Sequence, residues 1–402
     1  MILHSAILLC LLTIGRANAD IVSGKLQKRQ IDPSAQASCR NFYADIYAET
    51  KSNVDLRSVI GRPPENQQAL NELFLSTYAV GSTITQRISS APHIEVKEAY
   101  SIYFEYCEPS GTTPKGIYQT HHGLVATADY WNVQVDDSVG VYSFAENAAA
   151  NGWATLSYDR LGVGRSAHPD GTNIVQIPYE IEQSVGIARA LREGTLGDLG
   201  RFDTIVGVGH SYGSGLVTGV TSISPTTFDA IILTGYSSNA TDGPIGIIQF
   251  QPTISSLAYP ERFSSNPNDY VITPTQTNDQ LGFFHYPNYT REAIETFTRT
   301  KGEFTLGQRY TRGIPATLNR DNYTSPVLVF TGENDGIYCT ANCYITSLPP
   351  PATQLDKTRE LFPSVENFQT FVVNDTGHGI NFHTTAREAY RKIFEFVDGL
   401  GL

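Results

Sequence analysis

Residues 204–215 place a glycine-flanked serine between a strand and a helix, and this run limits the fold more than any other. Thr204 to Val208 is short and β-rich, Gly209-His210-Ser211-Tyr212-Gly213 follows, and a helix-forming stretch continues from Ser214-Gly215. A bare Gly-x-Ser-x-Gly arises often by chance. On a strand-to-helix turn it is the signature of a nucleophile elbow, a strained turn that exposes the serine Oγ. Gly209 and Gly213 leave room where a Cβ would meet neighbouring backbone. The N–H groups of the helix that follows favour negative charge at the site. Ser211 is therefore the candidate nucleophile.

The rest of the chain supplies a sheet to hold such a turn. From Tyr100 onward, short β-rich runs alternate with helical stretches: Tyr100 to Tyr106, Gly116 to Thr120, Ala154 to Tyr158, Thr204 to Val208, Ala230 to Thr234, Val327 to Thr331 and Phe368 to Val373. Continuous apolar strands separated by helices predict an α/β fold, a mostly parallel central sheet with helices on both faces. The rhythm stops between Ser237 and Thr324, a stretch rich in aromatics such as Phe250, Phe283, Phe284, Phe297 and Phe304 but without a strong strand. A segment of that length inside a compact domain is more often functional than accidental. It reads as an inserted cap at about 238–324, its aromatics either shaping an apolar pocket or forming the cap's own small core. Residues 30–90 are polar and mixed, with a helical stretch from Gln67 to Val80. We read 20–99 as an N-terminal pro-segment or extension packed on a domain spanning 100–402.

An alcohol needs a base, and the base needs orienting. Behind such an elbow the partners follow in the order acid, then histidine. After Ser211 only His285, His378 and His383 remain. His285 falls in the cap and His383 at the start of the last helix, whereas His378 follows the last strand directly; it is the candidate base. The preceding strand runs into Glu333-Asn334-Asp335. Asp335 is the chosen acid, with Glu333 the main rival and Asp375 a remote one. The backbone N–H of Tyr212 is one expected oxyanion donor, and the loop His121-His122-Gly123-Leu124 offers the second at Leu124. The paired histidines invite a metal, but no third and fourth ligand stands at a suitable spacing. No metal or other cofactor is expected.

Charge and targeting signals narrow the partners. The chain has 28 basic and 40 acidic residues in 402, a formal net charge of −12, which argues against nucleic acid or an anionic membrane. Ile2 to Ile14 is apolar apart from His4, Ser5, Cys10 and Thr13, and Ala17-Asn18-Ala19 follows. This reads as a signal peptide over 1–19 with the cut before Asp20; a buried N-terminal helix is the alternative. No other apolar run approaches the ~20 residues that span a bilayer, so a secreted protein is expected. Export agrees with the four remaining cysteines, an even set that pairs as Cys339 with Cys343 and Cys39 with Cys107, or stays as free thiols. The first pair would stiffen the loop just after Asp335. Sequons stand at Asn239, Asn288, Asn322 and Asn374. Lys28-Arg29 is either a processing site or two exposed charges.

Taken together, Phe104-Glu105-Tyr106-Cys107-Glu108-Pro109, His122-Gly123, Asp129-Tyr130-Trp131, Leu156 to Ser166, Gly209 to Gly213, Asp335 and Gly377-His378 resemble the α/β-hydrolase superfamily. More narrowly they resemble secreted α/β-hydrolase-like proteins of filamentous fungi, over about Tyr100 to Leu402. The resemblance implies an α/β-hydrolase fold and gives Asp159 and Arg160 a structural role, bracing loops near the elbow. In one place the chain departs from it: relatives often carry Gly where Val125 stands. The expected chemistry is hydrolysis of a small, apolar carboxylic ester or lactone through an acyl-enzyme. Acyl transfer or lactone chemistry of secondary metabolism with the same triad is the alternative within enzymes, and a non-catalytic binding protein the alternative outside them. Dehalogenase or epoxide hydrolase chemistry would want Asp at position 211.

Overall fold

The computed structural model describes residues 37–135, 140–238, 246, 249–350 and 352–402. The expected signal peptide, Lys28-Arg29 and the Asn239 sequon lie outside them. The central sheet has eight strands: β1 (Ala37–Val54), β2 (His93–Pro109), β3 (Ile117–His121), β4 (Ala154–Tyr158), β5 (Ile205–His210), β6 (Ala230–Thr234) and, after three short strands, β10 (Val327–Gly332) and β11 (Phe368–Val373). Their order is β1-β2-β4-β3-β5-β6-β10-β11. All neighbours from β4 to β11 are parallel, while β1 and β2 are antiparallel additions at one edge.

The central strands are buried along their whole length because both faces are covered. On β3, Tyr118 packs against Phe144 at 5.3 Å and Phe394 at 6.3 Å, from helices α1 (Phe144–Ala150) and α7 (Ala386–Leu400). The next residue, Gln119, points the other way and donates to the Ser184 carbonyl of α2 (Ile177–Glu193) at 3.1 Å. Helix α3 (Tyr212–Ile223) follows β5 on that second face and packs on α2.

β1 departs from the mixed, polar reading of residues 30–90. Its first residues are largely exposed, its burial alternates only from Phe42 to Thr50, and it carries no continuous apolar run. The strand is defined by its partner: it pairs with β2 almost end to end, with Cys39 directly opposite Cys107. Their sulfurs are bonded at 2.04 Å, and closing a loop of this size contributes about 4 kcal/mol through the unfolded state.

Between β6 and β10 lies the inserted segment that the sequence reads as a cap. Its strands β7 (Thr253–Ile254), β8 (Tyr270–Ile272) and β9 (Phe304–Thr305) form a small antiparallel sheet; helices α4 (Gln276–Phe283) and α5 (Arg291–Thr300) connect β8 to β9, and α6 (Leu306–Thr311) follows β9. Strands of two or three residues leave no readable period, which is why the sequence shows none. Some of the segment's aromatics pack on one another, Phe283 stacking on Phe250 at 5.5 Å and meeting Phe297 at 4.8 Å, while Phe284 and Phe297 also meet Phe382 at 6.0 and 5.2 Å. Among the described residues no helix is long and apolar enough to cross a membrane.

Candidate active site

The serine sits where β5 ends and α3 begins. Ser211 has φ 55° and ψ −117°, a conformation that costs a non-glycine residue about 1–3 kcal/mol and persists only where the surroundings impose it. They do so here: the Ser211 N–H donates to Thr234 on β6 at 2.9 Å, and the Ser211 carbonyl accepts from Ser214 and Gly215 at 2.9 and 3.1 Å. The flanking glycines are required by contact with backbone. A Cβ on Gly213 would lie 2.1 Å from the His121 carbonyl oxygen, and one on Gly209 2.4 Å from the Ser214 nitrogen.

Gly215, two residues on in α3, has nothing nearer than 3.9 Å. Gly213→Ala is therefore expected to give no folded protein. Gly215→Ala should gain about 0.5–1 kcal/mol from the helix preference of alanine. Urea denaturation of both variants checks this; a stable Gly213→Ala protein would contradict the packing described.

β10 and β11 carry the other two candidates to the same end of the sheet. His378 Nδ1 and Asp335 Oδ2 are 2.8 Å apart, and both side chains are fully buried. Oδ2 also accepts from the Thr331 hydroxyl at 2.6 Å, and Oδ1 accepts the N–H groups of Ile337 and Tyr338 at 2.8 and 3.0 Å. Burial would raise the Asp335 carboxyl, but His378 and these donors outweigh it and hold the carboxyl below its ordinary value. The two rival carboxylates lie elsewhere. Glu333 Oε2 accepts the Asp375 N–H at 3.0 Å, and Asp375 sits in a turn with φ 52°. Cys339 and Cys343 are bonded at 2.08 Å, and the loop they close folds back on Asp335: Ala341 N–H donates to the Asp335 carbonyl at 2.9 Å.

Beside His378 lies His210, the residue before Ser211, with ring centres 4.8 Å apart. Tyr130 stacks on His210 at 4.3 Å, its hydroxyl 3.1 Å from Nδ1. Burial first, and then the neighbouring His378, push His210 well below the ordinary histidine range, so it stays neutral.

The loop expected to supply the second oxyanion donor closes the site from the β3 side. A Cβ on Gly123 would lie 3.0 Å from that of Ser211. Leu124, Ser211 and Tyr212 line one cavity of about 190 Å³, with Tyr236, Phe250, Pro315, Ile337 and Tyr338 among its other walls. Val125, standing where relatives often have Gly, has φ 59° and is fully buried. A β-branched residue in the left-handed region is a genuine outlier, and the side chain's burial in the core offsets the strain. The paired histidines are absorbed by the protein. His121 lies 3.0 Å from the Val208 carbonyl and 2.7 Å from the Ser184 hydroxyl, while His122 Nε2 accepts the Arg160 N–H at 3.0 Å. Burial lowers His121 to about 4.

From this loop to the last helix, residues 121–392 match the model of the Alpha/beta hydrolase family. The chain belongs to that family. Among solved structures this α/β hydrolase is similar to a thermophilic esterase from Thermogutta terrifontis, with 13% identity over 75% of this chain and 94% of that one and a TM-score of 0.48. It is also similar to a bromoperoxidase from Bacillus anthracis, with 16% identity over 75% and 96% and a TM-score of 0.49. A monoacylglycerol lipase from Paleococcus ferrophilus matches with 16% identity over 73% and 97% and a TM-score of 0.47. No curated protein matches the chain.

One buried group of this α/β hydrolase escaped the sequence reading. Glu180 is buried between Arg160 and the Tyr212 hydroxyl. Its signal was present: it stands three residues after Ile177 and one before Ile181, a carboxylate on the apolar stripe of a helix.

Proposed function

We propose that this protein is a secreted serine hydrolase that cleaves carboxylic esters through an acyl-enzyme. The observation that carries the reading is the buried Asp335–His378 pair, 2.8 Å apart, at the strand ends beside a serine held at φ 55°. Asp335 as a carboxylate fixes the Nδ1–H tautomer of His378, leaving Nε2 as the basic nitrogen. Among the described residues nothing hydrogen-bonds that nitrogen. It takes the Ser211 proton as Oγ attacks the ester carbonyl, and the N–H groups of Tyr212 and Leu124 receive the oxyanion. His378 then returns the proton to the departing alkoxide. Water, deprotonated by the same nitrogen, releases the acid and restores Ser211. Neutral His210 alongside means that no like charge opposes the imidazolium. The cavity walls of Leu124, Tyr236, Phe250, Ile337 and Tyr338 favour an apolar acyl or lactone group. Export is supported by the Ile2–Ala19 segment and by two disulfides.

The test is fluorophosphonate labelling of the purified protein together with a panel of p-nitrophenyl esters. We expect one label per chain, on the peptide containing Ser211, and faster turnover of apolar than of polar acyl groups. A folded protein that takes no label would overturn the reading in favour of a binding role.

A further inference from the structure

Arg160 and Glu180 form an ion pair at 2.5 Å with side chains only 1% and 2% exposed. Burying two charges is costly, and an apolar pair of the same volume is often as stable, so stability alone gives no reason for it. The places its other atoms reach do. Arg160 Nε donates to the His122 carbonyl at 3.0 Å and Nη2 to the Gly123 carbonyl at 3.2 Å. The Gly123 carbonyl belongs to the same planar peptide as the Leu124 N–H, so a bond to that oxygen sets the direction of that N–H. A cation on the oxygen also polarises the N–H further. The guanidinium lies 4.4 Å over the ring of Tyr212, and the Tyr212 hydroxyl donates to the second oxygen of Glu180 at 2.5 Å. Gln308 on α6 donates to the first oxygen at 3.0 Å. One carboxylate on α2 thus holds the side chain of the residue after Ser211 and, through Arg160, the peptide before Leu124.

We propose that Glu180 is the positioning residue of the oxyanion hole, fixing the separation and aim of the Tyr212 and Leu124 N–H groups through Tyr212 and Arg160. The proposal rests on the serine-hydrolase reading above. It assigns Glu180 no contact with substrate; its effect is felt only where negative charge develops on the carbonyl oxygen.

The experiment compares wild type with Glu180→Gln and Tyr212→Phe, each normalised to its folded fraction. It measures kcat and KM on a p-nitrophenyl ester and the inhibition constant of a trifluoromethyl ketone, which forms a tetrahedral adduct. Tyr212→Phe removes one hydroxyl and keeps the fold testable should Glu180→Gln, with its stranded guanidinium, fail to fold. We expect kcat to fall by about 10- to 100-fold, short of the roughly 10²–10³ that follows loss of a donor, with KM within about threefold. Affinity for the ketone should fall in parallel. A merely structural pair would lower the melting temperature but leave kcat per folded molecule and the ketone affinity unchanged, and that result overturns the proposal. A wild type that neither turns over an ester nor takes the fluorophosphonate would instead defeat the hydrolase reading, and this proposal with it.

Discussion

Ser211→Ala is expected to lower turnover by about 10⁶-fold and to abolish fluorophosphonate labelling, the scale seen when a triad that acts as a unit loses its nucleophile. The substitution deletes one oxygen and leaves the elbow intact. The strained turn is held by backbone bonds from the Ser211 N–H to Thr234 and from Ser214 and Gly215 to the Ser211 carbonyl, and none of them uses the hydroxyl. The melting temperature should therefore stay near that of wild type. The non-additivity is as diagnostic as the size of the loss. Adding His378→Ala to Ser211→Ala should cost little more, because a base without its alcohol has nothing to activate. Turnover retained within tenfold in Ser211→Ala would show that the chemistry lies elsewhere.

Asp335→Asn should cost about 10⁴ in kcat, the scale that follows when the orienting acid becomes an amide and the histidine adopts the wrong tautomer. The structure dictates which way the amide would turn. Oδ1 of Asp335 accepts two backbone N–H groups, those of Ile337 and Tyr338. An asparagine must place its oxygen there, and so must point its NH2 at His378 Nδ1. That nitrogen then has to accept, the ring proton moves to Nε2, and the atom that should take the Ser211 proton already carries one. Glu333→Gln is the matched control: its carboxylate caps the Asp375 N–H at 3.0 Å, and kcat should change by no more than a few-fold. Equal losses in the two variants would contradict the assignment of the acid. Steady-state kinetics on one p-nitrophenyl ester measures both.

What could be read from the chain was local. The elbow is legible because strand, glycine, serine, glycine and helix are consecutive; the clash that requires Gly209 is with the turn's own backbone, whereas the one that requires Gly213 is with the His121 carbonyl of β3. The runs Ala154 to Tyr158, Ala230 to Thr234 and Phe368 to Val373 coincide with observed strands, and the first two are buried along their whole length. The cysteine pairs were legible for a simpler reason: once Cys339 and Cys343 are joined across four residues, Cys39 and Cys107 remain.

Other features depended on partners far along the chain. β1 is half exposed, and only its register with β2 makes it a strand. Glu333, Asp335 and Asp375 are equally acidic as letters. Their separation into one carboxylate 2.8 Å from His378 and two that are not depends on how the turns after β10 and β11 fold over each other. Glu180 shows in sequence only as a carboxylate beside apolar helix positions; its partners appear when α2 is laid against α3 and the loop after β3, where Arg160 and Tyr212 close on it. The chain alone determined which residues can react, since that follows from side-chain chemistry and neighbours in sequence. The tertiary structure decided which of them are buried together, because burial removes the water that would otherwise separate and screen their charges.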